Sequence, residues 1–75
     1  MTQLEVSFRY GAVPGEREMR ALDSVRDVYG IRRLSFDPPG RIIRVEYDAS
    51  RLKEPVVASL LRNAGIDVRE KISLV

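Results

Sequence analysis

Apolar residues recur at two different periods along this chain, and the order in which those periods alternate constrains its fold more than any other feature. Leu4, Val6, Phe8 and Tyr10 alternate with Gln3, Glu5, Ser7 and Arg9, the period of two expected of a strand with one buried face. Met19, Leu22, Val25, Val28 and Tyr29 follow at spacings of three and four, with Glu16 and Glu18 ahead of them and Gly30 behind. Early acids complement the helix dipole and a trailing glycine accommodates a left-handed terminal position, so residues 16–29 read as a capped amphipathic helix. Leu34 and Phe36 lead into Asp37, Pro38, Pro39 and Gly40, and Ile43, Val45 and Tyr47 lead out. Prolines cannot donate to a ladder and glycine tolerates unusual dihedrals, so this stretch predicts a hairpin turn between a second and a third strand. Pro55 opens a second helix where a missing N–H costs nothing, with Val56, Val57, Leu60, Leu61 and Ala64 as its apolar stripe and Gly65 at its end. Ile66, Val68, Ile72 and Leu74 then alternate around Glu70, predicting a last strand that extends toward the C-terminus.

The order is strand, helix, strand, strand, helix, strand. Two right-handed strand-helix-strand crossovers joined by a hairpin give an α+β, ferredoxin-like βαββαβ sandwich: a four-stranded antiparallel sheet with both helices on one face. At 75 residues, residues 1–75 are expected to form a single domain. A domain of this size buries only about 60 to 65% of the surface its unfolded chain exposes, so its core is thin. Hydrophobic residues at 44% and charged residues at 32% are a globular balance. Linkers, low-complexity tracts and internal sequence repeats are not visible.

Cysteine and histidine are both absent. Disulfides, thiolate nucleophiles, imidazole bases and the usual zinc and copper ligands are excluded with them. No apolar run approaches the roughly 18 residues of a membrane span, and the alternating start lacks the continuous apolar stretch of a signal peptide, so the expectation is a cytoplasmic chain without membrane insertion. The thirteen basic residues, eleven arginines and two lysines, are interleaved with eleven acids. The net charge is only +2, a pattern that reads as a solvated mixed-charge surface rather than a nucleic-acid patch.

The stretches from Gly11 to Arg17, Val28 to Asp37, Arg44 to Ser50 and Val56 to Val68 together resemble the heavy-metal-associated domain family, which comprises small copper chaperones and the metal-binding modules of metal-transporting ATPases. The resemblance spans roughly residues 4–68. It implies the same βαββαβ fold and a metal loop between the first strand and the first helix, of the pattern Gly-Met-x-Cys-x-x-Cys. With Gly30 taking the place of the glycine that starts the family's second strand, the motif's glycine is Gly11, its methionine position holds Ala12, and its two cysteine positions hold Pro14 and Arg17. Soft cations are held in such a loop by paired thiolates. Proline offers no ligand, and Arg17 puts a fixed positive charge where the cation would sit. No cofactor is therefore expected. The remaining donors are the thioethers of Met1 and Met19, the latter placed in the core, and Glu16 and Glu18, which do not share a helix face.

Two other chemistries use this topology. Acylphosphatases cradle phosphate in a loop after the first strand, and Gly11, Ala12, Val13, Pro14 and Gly15 are similar in outline to their pattern. Backbone amides at a helix start bind anions, with Arg17 or Arg20 lending charge. However, the arginine that pattern carries in second place is Ala12, Pro14 removes a donor, and Asn63, at a helix end, is the one candidate to position water. RNA recognition motifs stack bases on aromatics of an open sheet face. Here alternation turns Phe8, Tyr10, Phe36 and Tyr47 toward the helices and leaves Glu5, Ser7, Arg9, Arg33, Ser35, Arg44 and Glu46 outside, a face suited to cross-strand ion pairs and not to specific nucleic-acid reading.

In the family it resembles, the metal loop and the start of the first helix also dock partner domains. The expectation is thus a non-enzymatic, metallochaperone-related domain that has lost its thiolate site and acts as a docking or regulatory module, with a protein such as a metal-transport protein as partner. Its docking loop would be Gly11, Ala12, Val13, Pro14 and Gly15, rimmed by Glu16, Arg17 and Arg20, an apolar patch edged with steering charges. The alternative is a metal-binding or transport protein that uses noncanonical ligands.

Overall fold

Val6, Phe8 and Tyr10 are buried while Gln3, Glu5 and Arg9 are exposed, so the alternation of the first stretch becomes a largely one-sided strand; Ser7, expected on the open face, is buried as well. A computed structural model of the chain describes residues 2–72, with β1 (Gln3–Tyr10), α1 (Glu16–Arg26), β2 (Ile31–Asp37), a 3-10 turn at Pro38–Gly40, β3 (Ile42–Asp48), α2 (Glu54–Asn63) and β4 (Val68–Ile72). The strands form one antiparallel sheet in the order β2-β3-β1-β4. The expected βαββαβ ferredoxin-like architecture is the one observed. Leu74 and Met1 lie outside the described residues.

The core forms where strand and helix stripes meet. Val6, Ile43 and Val45 from the central strands pack with Leu22 of α1 and with Val57 and Leu61 of α2, all essentially inaccessible to solvent. Burial of each such side chain contributes about 1.5–3 kcal/mol. Register reinforces the pattern: Val6 stands opposite Val45 and Phe8 opposite Ile43, while Leu34 and Phe36 of β2 face the same two β3 residues from the other side.

Several expected core residues lie outside it. Helix α1 ends at Arg26 rather than at residue 29, because Val28 N–H donates to Val25 and Ile31 N–H to Val28 in a tightening turn that Gly30 closes at φ +105°. Tyr29 is consequently exposed, and Arg51 lies over its ring at 4.4 Å. Met19, Leu4 and Val56 are each about two-fifths exposed. Val56 misses the core because Val57, Ala58 and Leu61 set the buried arc of α2 and Val56 lies about 100° to one side of Val57.

The hairpin also differs in detail. Gly40 was the residue expected to take the unusual dihedrals, yet Arg41 holds the left-handed position at φ 53°. The two prolines lock φ near −65° and carry a 3-10 turn through Gly40, closed by Arg41 N–H to Pro38 O at 3.1 Å. The reversal is displaced onto the next residue, where a side chain costs about 1–2 kcal/mol. Among the described residues, no helix is long and apolar enough to cross a membrane.

Candidate functional site

The β1–α1 loop is held from three sides. Gly11 N–H donates to Asp67 O at 2.9 Å and Ala12 N–H to the Asp67 carboxylate at 3.1 Å, while Arg41 donates to Gly11 O at 3.1 Å. At its far end Gly15 N–H donates to Glu18 Oε1 at 2.7 Å, one half of a capping box. Arg69 closes on the same Asp67 oxygen at 3.0 Å. It gets there because β4 carries a bulge: Arg9 stands opposite Glu70 and Tyr10 opposite Val68, leaving Arg69 as the extra residue. A Cβ at Gly11 would lie 2.5 Å from both Asp67 Oδ2 and Arg69 Nε, so a larger residue there would displace this pair from the loop.

This wiring bears on each chemistry weighed for the loop. Two of the amides that an anion cradle would present, those of Gly11 and Ala12, are already committed to Asp67. Asn63 is the last residue of α2 and lines the groove between the helices. Pro14 is half-buried and Arg17 exposed. Among the described residues, no three His, Cys, Asp or Glu side chains converge as metal ligands would.

What the loop does create is an apolar cleft. Val13 and Pro14 from the loop, Met19 from α1, Tyr10 from β1, and Phe36 and Pro38 from the hairpin enclose about 220 Å³. The rings of Tyr10 and Phe36 meet edge to face at 5.7 Å and fix one wall. Val13 is 72% exposed at the mouth. Of the expected rim, Glu16 and Arg20 pair with each other at 2.7 Å on the exposed helix surface. Arg17 precedes Met19 by two residues and so points about 200° away around the helix; it does not edge the cleft. Arg41, bound to Gly11 O, stands at the base of the loop instead. Tyr10 is buried in the core as its alternation predicts and also lines the cleft, whereas Pro38 and Arg41 carry no periodic sign of their place at it. The signal available was topological, because a ferredoxin-like order puts the β2–β3 hairpin at the same end of the sheet as the β1–α1 loop.

The opposite end of the sheet holds a second cluster that the periodic patterns did not single out. Asp48 is 2% exposed. Its Oδ1 accepts from Ser50 Oγ at 2.6 Å and Ser50 N–H at 3.0 Å, and its Oδ2 lies 3.9 Å from both Arg32 and Arg51. Here too a bulge delivers the cation, for Ile31 faces Tyr47 and Arg33 faces Glu46, leaving Arg32 extra. The Asp48 backbone N–H donates to Gly30 O at 2.7 Å, and its carbonyl accepts from Arg51 and Leu52. Hydrogen bonds from the Ser50 hydroxyl and then its amide hold the Asp48 carboxyl below the usual aspartate range; burial opposes them, and Arg32 and Arg51 assist. The Asp-x-Ser spacing was the readable sign of such a turn.

On the sheet face away from the helices, Arg9 pairs with Glu70 at 2.7 Å, Arg44 with Asp37 at 3.6 Å and Arg33 with Glu46 at 3.8 Å. Phe8, Tyr10 and Tyr47 are buried on the other face. Against known proteins, no family model matches the chain, and no curated protein is significantly similar to it.

Proposed function

We propose that this chain is a non-enzymatic docking module of the cytoplasm, a metallochaperone-like scaffold without thiolates whose loop end engages another protein domain, such as part of a metal-transport protein. The observation that carries the reading is the open apolar cleft of Tyr10, Val13, Pro14, Met19, Phe36 and Pro38, built on a loop already fixed by Asp67, Arg41 and Glu18. A fixed concave apolar site suits a transient contact in which one partner side chain fills the cleft. Pro14 and Arg17, at the positions where the resembling family places cysteines, supply no soft ligand, which favours docking over metal carriage.

A photo-crosslinking amino acid at Val13 tests this in cells, with the same group at Ser59 on α2 as control. One discrete adduct at Val13, absent at Ser59 and lost with Met19→Asp, is expected. Equal labelling at both positions, or saturable and stoichiometric binding of copper(I) or zinc tighter than micromolar, overturns the reading.

A further inference from the structure

The sheet has two open edges, β2 and β4, and their sequences treat a second copy of themselves in opposite ways. On β2 the stretch able to accept another strand is bounded: the Arg32 bulge interrupts it at one end and Pro38, which has no N–H, ends it at the other. Residues 33–37 remain. In an antiparallel pair of identical strands, opposite residues share a face, so the two-fold axis must pass through a residue if the helix layers are to stay on one side. Only a pairing centred on Ser35 uses all five positions. That register sets Arg33 opposite Asp37 of the second copy, twice over, with Ser35 opposite Ser35 on the outer face and Leu34 opposite Phe36 on the helix face.

The charges suit that arrangement. Arg33 is 75% exposed, and its intrachain partner Glu46 lies 3.8 Å away; Asp37 is 39% exposed, with Arg44 at 3.6 Å. Both contacts exceed hydrogen-bond length, so each side chain can turn to a closer partner. Self-pairing of β4 is disfavoured: within the described residues the Arg69 bulge interrupts the edge, and a pairing about Glu70 sets Glu70 opposite Glu70. Like charges directly opposite are unfavourable, and opposite charges favourable.

We propose that β2 is a self-association edge: two copies of this chain pair antiparallel through Arg33–Asp37, centred on Ser35, into a continuous eight-stranded sheet. The pairing runs through the backbone edge of β2, of which one residue, Phe36, also lines the cleft.

Sedimentation from micromolar to millimolar concentration tests it. The expected mass rises from 8.5 kDa toward twice that value, and hydrogen exchange of β2 amides slows with concentration while that of β4 amides does not. Arg33→Asp or Asp37→Arg alone sets like charges opposite each other and is expected to weaken association about tenfold or more. The double variant regenerates both pairs and restores it. A mass fixed at 8.5 kDa throughout, concentration-dependent protection of β4 instead, or single reversals that leave association unchanged would each overturn the proposal.

Discussion

Asp48 and Asp67 stand at opposite ends of the sheet, and each receives an arginine carried to it by a β-bulge, Arg32 in β2 and Arg69 in β4. The device is the same and the depth differs. Asp48 is buried and draws together Gly30, Ser50, Arg51 and Leu52 through side chain and backbone. Asp67 is over one-third exposed and ties down only the start of one loop. The buried Asp48 carboxylate gathers Ser50, Arg32 and Arg51 around it, and that end is closed; the exposed Asp67 holds one loop, and the apolar cleft opens beside that loop. One end of this small domain secures the fold while the other presents a surface.

Substitutions that deepen or erase the contrast should differ in size accordingly. The largest loss is expected from Gly30→Val, since φ +105° strains any side chain and Leu52 Cγ lies 2.9 Å from a Cβ placed there. Denaturant unfolding should show a loss of about 3 kcal/mol.

Asp48→Asn comes next and carries a pH signature. The native carboxyl holds its proton less tightly than the unfolded one, so its contribution is complete above the ordinary aspartate range and drains away as pH falls below that range toward the lowered native value. Melting temperatures recorded from neutral to acid pH should therefore fall less steeply in the variant, from a lower starting point. A variant curve parallel to that of the parent would show that Asp48 does not secure the closed end.

Asp67→Ala should cost about 1 kcal/mol, with faster amide exchange at Ala12, whose N–H bonds the carboxylate, and little change at Gly11, whose N–H bonds the backbone carbonyl. Smallest is Glu70→Gln on the outer face, where both partners of the Arg9 ion pair are more than half exposed; equilibrium unfolding should change by less than about 0.5 kcal/mol.

The element order was legible because it rests on periodicity, and Val6, Phe8, Leu22, Val25, Val57 and Leu61 report their faces without any partner being known. The residues misread are those whose burial depends on where an element stops. Tyr29 fits the helical spacing of α1, yet the helix ends three residues earlier, and Val56 fits α2 until Ala58 shifts the buried arc. The site was only half legible for a related reason. Val13 and Pro14 could be placed on a loop, but the other walls come from Phe36 and Pro38, which reach the cleft only through strand order. Arg32 and Arg69 were less accessible still, because a bulge is a property of register between two strands and leaves no mark in the periodicity of either one.

The carboxylate at the root of the β1–α1 loop has a consequence for encounter. A loop pinned at its start by Asp67 and Arg41 and at its end by Glu18 has less conformational freedom to lose when something settles on it. Under the docking proposal, the resting shape of the loop is the one a partner would meet, so that binding is spared the cost of ordering it.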